Sequence, residues 1–138
     1  MELKKVILYI VLPATIIFGP FIALSSPSMG CYQAQIDKNP NSQSAKDWQL
    51  TLADICLKTM RPEMAAEMYG KYVDRHPQDP KRAEALWLKA YAHEKAEDKH
   101  STIKTLVKLF NEHGDTEWAR KADEKLNKQY QYFSRDAE

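Results

Sequence analysis

Four histidines, two cysteines and a scatter of carboxylates are the side chains here that could do chemistry, and their spacing argues against most of it. His93 and Glu97 lie one helical turn apart, with His100 three residues further on. A single helix through all three would offer two imidazoles and a carboxylate to a metal ion. Asp98 and Lys99 read instead as a charged corner between two helices, which breaks that alignment and leaves a solvated turn, so no metal site is expected. His76 and His113 stand near the ends of predicted helices, where an imidazolium would interact with the helix dipole. The chain has no glycine-rich phosphate loop, no His-Glu-x-x-His, no Cys-x-x-Cys and no glycine-flanked nucleophilic serine. The expectation is a non-enzymatic protein with no cofactor and no small-molecule substrate.

Cys31 and Cys56 are the only cysteines. Paired in an oxidising compartment, they would add about 3 kcal/mol by closing a loop. The other reading leaves Cys56 as a small buried hydrophobe beside Ile55 and Leu57, with Cys31 free or modified.

The elements that would hold these residues show a repeat. Shifting the chain by 37 residues matches Ala53 with Ala90, Ala65 with Thr102, Ala66 with Ile103 and Tyr69 with Leu106. The same shift matches Tyr72 with Leu109, Val73 with Phe110 and His76 with His113. Each copy reads as two amphipathic helices, and a hairpin recurring at this period is the mark of a stacked helical repeat. Ser44, with Asp47 three residues on, has capping-box spacing for a first helix with Trp48, Leu52, Ile55 and Thr59 on one face. Pro62 opens a second helix with a stripe of Met64, Met68, Tyr69, Tyr72 and Val73. Asp79-Pro80 starts a third, with Leu86, Leu88, Ala90 and Ala92 on its apolar faces. The fourth carries Ile103, Leu106, Val107, Leu109 and Phe110. Gly114 reads as its left-handed terminator. A fifth helix capped by Asp115 or Thr116 runs through Trp118, Ala122, Leu126, Tyr130 and Phe133 and covers the open end of the stack.

The first residues differ from the rest. No charged side chain occurs from Val6 to Leu24, and Lys4 and Lys5 precede the run. As a helix it would be about 28 Å long, close to the thickness of a bilayer core. The expectation is a single transmembrane helix over residues 1–24, kinked at Pro13 and Pro20, with the N-terminus in the cytoplasm. A linker over 25–43, a helical domain over 44–133 on the periplasmic side of the inner membrane and a tail over 134–138 would follow. The alternatives are a signal peptide cleaved near Ala23 and Ser25, or a lipoprotein signal acylating Cys31. Beyond residue 31 acidic and basic side chains are equal in number, since Lys4, Lys5 and Glu2 precede it and the whole chain is at +1. A neutral surface of mixed sign has no electrostatic footprint for nucleic acid.

The segment from about Ser44 to Phe133 resembles the tetratricopeptide repeat family. The resemblance rests on Ala53, Ala65, Tyr69, Tyr72 and Pro77 in one copy, and on Ala90, Thr102, Leu106, Leu109 and Gly114 in the next. Departures are Thr102 and Gly114 in place of the usual Ala and Pro, the missing tight-turn glycine between the helices, and a period longer than the usual ~34. The lengthened turn also looks like repeats of bacterial envelope proteins serving outer-membrane assembly and the Tol-Pal machinery. The resemblance implies an all-α fold: a short right-handed stack of two hairpins plus a capping helix. It also implies a concave face that binds peptides or partner helices. That face would present Asp47, Leu50, Asp54, Leu57 and Lys58 from one hairpin, and Glu84, Trp87, Tyr91, Glu94 and Lys95 from the next. The function so implied is a membrane-tethered interaction module, an accessory subunit or assembly factor of a larger membrane complex. A secreted or lipid-anchored envelope factor is the alternative.

Overall fold

The computed structural model describes residues 26–131, which are all-helical: α1 (Ser26–Lys38), α2 (Gln43–Lys58), α3 (Pro62–Arg75), α4 (Arg82–Lys95), α5 (Lys99–Glu112) and α6 (Glu117–Tyr130). The expected membrane helix within residues 1–24 lies outside the described residues. Among the described residues no helix is long and apolar enough to cross a membrane. They run from 13 to 16 residues, short of the ~20 a span requires. The membrane-anchored fold and the single-pass inner-membrane localisation are corrected on this finding.

The chain divides at Asn39 into two compact units. The described part of the first is α1, in the region expected to be an irregular linker. A bond from Gln33 Nε2 to Asp37 Oδ1 at 2.9 Å supports one turn of this helix, and Lys38 lies in its last turn. Pro40 disfavours helical backbone at Asn39 and so limits its continuation.

The second unit begins with α2. Its cap is Ser42, whose Oγ accepts from Ala45 N at 3.1 Å, two residues before the expected Ser44. The buried stripe is Ala45, Gln49, Leu52, Ala53 and Cys56, one position round from the expected face. Trp48 is 56% exposed, whereas Gln49 is 1% exposed, its Nε2 donating to the Met68 carbonyl at 3.2 Å. That bond is what lets an amide lie in the core.

Both hairpins turn by the same device. Met60 and Glu97, 37 residues apart, are left-handed with φ of 60°, and the residue after each donates its N–H five residues back. These bonds run from Arg61 to the Cys56 carbonyl and from Asp98 to the His93 carbonyl, each at 2.9 Å. This is the Schellman termination, made without its customary glycine. Gly114 does not have the left-handed conformation expected of it, as no described glycine has positive φ. Pro62 opens α3, and Asp98 Oδ1 caps α5 by accepting from Ser101 N at 3.0 Å.

The exits from α3 and α5 also match. His76 and His113 are C-caps bonded to Tyr72 and Leu109 carbonyls at 3.0 Å, and their own carbonyls accept from the N–H groups of Asp79 and Thr116. Asp79 does not cap α4 directly. Its Oδ1 accepts from Lys81 N at 3.0 Å just ahead of the helix, whereas Thr116 Oγ1 caps α6 from Ala119 N at 3.1 Å.

Each helix from α2 onward packs on the next, and α6 also touches α4. Tyr69, Tyr72, Leu86, Leu106, Leu109 and Leu126 are fully buried between them, each contributing on the order of 1.5–3 kcal/mol. Thr102, at the position of Ala65, is fully buried and sends its hydroxyl to the Asp98 carbonyl at 2.7 Å. Arg82, 9% exposed, ties three helices together: Nε donates to the Val73 carbonyl at 3.2 Å, and its terminal nitrogen lies 2.6 Å from Glu112 Oε2 and 2.8 Å from His113 Nε2. A guanidinium only donates, so His113 accepts at Nε2 and is neutral.

Candidate functional site

The first helices of the two hairpins, α2 and α4, leave between them a cleft of about 250 Å³. Leu50 and Leu88 supply its apolar surface, Thr51 and Ala85 its small side chains, and Asp47, Asp54, Lys81 and Glu84 its charges. The same 37-residue shift relates Asp47 to Glu84 and Thr51 to Leu88, so the cleft takes equivalent positions from both copies. The starts of the two helices are tied by two ion pairs, Lys46 to Asp79 at 2.7 Å and Lys81 to Asp47 at 3.0 Å. Burial pushes the Asp79 carboxyl up. Hydrogen bonds from the Lys46 ammonium and the Lys81 N–H outweigh it and hold the group at about 2. Asp47 is lowered by its bonds from Lys81 and Gln43.

From the core, the fully buried Tyr69 donates its hydroxyl to Oδ1 of the cleft residue Asp54. Tyr69 ionisation is pushed far up, first by burial, then by that bond, with Glu84 adding a second negative neighbour. The phenol therefore stays protonated and fixes the Asp54 carboxylate in place. Glu84 is exposed, with no ion pair or hydrogen bond among the described residues.

The residues expected at a concave face divide. Leu50 and Asp54 line the cleft. Leu57, half-buried, lies outside the cleft lining, and Lys58 is exposed. Trp87 and Glu94 are taken up by α6. The Trp87 ring lies 6.2 Å from that of Trp118, with Lys125 Nζ 5.7 Å over it, and the crevice formed with Tyr91 and Leu106 has no room for a water molecule. Glu94 accepts from Lys125 Nζ at 2.6 Å, Gln129 Nε2 at 2.9 Å and the Tyr130 hydroxyl at 3.4 Å. Burial raises its carboxyl, but these donors, Lys125 first, bring it below its ordinary range. Tyr91 stays 37% exposed at the edge, with the Lys95 ammonium 5.2 Å from its ring centre. The sequence reading missed Thr51, Lys81, Ala85 and Leu88. The signal for Leu88 was available, because it stands one turn after Glu84 on the same side of α4.

Among the described residues no group of three or more His, Cys, Asp or Glu side chains could hold a metal ion. His93 Nδ1 lies 3.9 Å from Asp98 Oδ2 across the turn made by Glu97. The His76 and His113 imidazoles stand at helix C-caps as expected, and burial first and neighbouring cations second lower them, which disfavours the charged form there. Cys31 and Cys56 are both free, the former exposed and the latter buried. Cys56 sits on the inner stripe of α2, and its thiol ionisation is raised by burial.

Compared with known proteins, the chain matches no family model and no curated protein.

Proposed function

We propose that this protein is a non-enzymatic interaction module whose α2–α4 cleft receives a segment of a partner protein. The observation that carries this reading is the cleft itself. It is open, has apolar surface at Leu50 and Leu88, and is framed by charges that include the repeat-equivalent Asp47 and Glu84 on two helices. Helices on either side suit binding, because a backbone already ordered loses little further entropy on association. The tetratricopeptide resemblance supports the same use of first helices. The same resemblance supports a setting within a larger assembly, as an accessory subunit or assembly factor.

The test is a peptide-display selection against the full chain, followed by binding of the recovered peptides to wild type and to Thr51→Trp. Thr51 is exposed, so an indole there fills the cleft without entering the core. Recovered peptides are expected to lose at least about tenfold in affinity for the plugged variant, the order expected when an anchor is displaced. Peptides that bind both proteins equally would place recognition elsewhere and refute the reading.

A further inference from the structure

The charges of the cleft do not cancel. Asp47, Asp54 and Glu84 line it against one cation, Lys81, and Lys81 is committed to Asp47. Asp54 is held by the Tyr69 hydroxyl, a neutral donor that leaves its negative charge in place. Glu84 faces the same space with no ion pair among the described residues, and Lys81, bonded to Asp47, acts on it only at longer range. Two carboxylates from opposite walls therefore flank an apolar strip of Leu50 and Leu88. The remaining lysine of that region, Lys46, is spent on Asp79.

Resting on the reading of the cleft as a docking site, we propose that its occupant is a basic amphipathic segment of a partner protein. It sets a lysine or arginine between Asp54 and Glu84, and apolar side chains over Leu50 and Leu88. An acidic segment is rejected by the same two carboxylates, and a purely apolar one leaves them unpaired. Charge complementarity of this kind selects the partner more than it strengthens binding. Because Glu84 is exposed, the preference is screened by salt.

Three labelled synthetic peptides with one leucine pattern, their polar positions all lysine, all glutamine or all glutamate, test this by fluorescence anisotropy with the full chain. The lysine peptide is expected to bind about tenfold more tightly than the glutamine peptide at low salt, as two modest ion pairs allow. The glutamate peptide should bind most weakly, and the preference should shrink in high salt. Asp54→Asn with Glu84→Gln should erase the preference between the three peptides. Glu84→Gln alone, at a side chain with no internal partner, should remove part of it without disturbing the fold. Glu63→Gln with Asp74→Asn, on α3 away from this cleft, should not alter it. Equal binding of the lysine and glutamine peptides, or a preference that survives the cleft substitutions, overturns the charge assignment and leaves the cleft reading standing. Failure of all three peptides to bind, or binding untouched by Thr51→Trp, overturns the cleft reading itself.

Discussion

Replacing Met60 and Glu97 by glycine should stabilise the protein. Both residues have φ of 60°, where the Cβ of an L-residue crowds the backbone at a cost of about 1–2 kcal/mol. Glycine avoids that cost but loses roughly 0.5–1 kcal/mol more chain entropy on folding. The net gain is about 0.5–1 kcal/mol per site. Little else is lost, since Met60 is 89% exposed and Glu97 is exposed with no ion pair among the described residues. The two turns are separate, so the double variant should gain about 1–2 kcal/mol by additivity. Gly114 is the internal control. Its φ is not positive and an added Cβ would meet only the Phe110 carbonyl at 3.5 Å, so Gly114→Ala should also stabilise, by about 0.5 kcal/mol. Urea titrations of the full chain read the effect as shifts in midpoint at constant slope. Met60→Val supplies the opposite sign, because a branched Cβ tolerates this conformation worst. A Met60→Gly protein less stable than wild type, or Gly and Val variants that behave alike, would refute the assignment of left-handed strain to these turns.

Arg82→Met should cost about 2–3 kcal/mol in the same titration, because it strands the Val73 carbonyl and removes the link to Glu112 and His113. Glu94→Gln should loosen α6 by about 1 kcal/mol, and the Trp87–Trp118 contact makes tryptophan fluorescence the readout. Stability should fall as pH drops below 6.5, since His76, His93 and His113 have folded values beneath that ordinary one and the unfolded chain binds more protons. It should fall again between 3.8 and about 2 as Asp79 protonates, so a flat midpoint from pH 7 to 5 would contradict the burial of these imidazoles. Of the two thiols, Cys31 should react at once with a thiol reagent in native protein and Cys56 only at the rate of opening.

The helices from α2 to α6, their order and the equivalence of the two hairpins followed from sequence alone. Proline at a helix start, a capping hydroxyl or carboxylate, and apolar residues at helical spacing are local signals that each segment carries within itself. The same is true of Ala53, Tyr69, Tyr72, Leu106 and Leu109, whose burial needs only one crowded face. What the tertiary structure decided was which of two adjoining stripes is covered. Trp48 and Gln49 differ by 100° around α2, and hydrophobicity favours Trp48 for the core. The interior took Gln49 because the Met68 carbonyl on α3 stood ready to accept its amide. Likewise Trp87 and Glu94 sit on α4 where a concave face would use them, until α6 closes over both with Trp118 and Lys125. A cleft is a relation between surfaces far apart in the chain, and periodicity along one helix holds no record of what packs beside it.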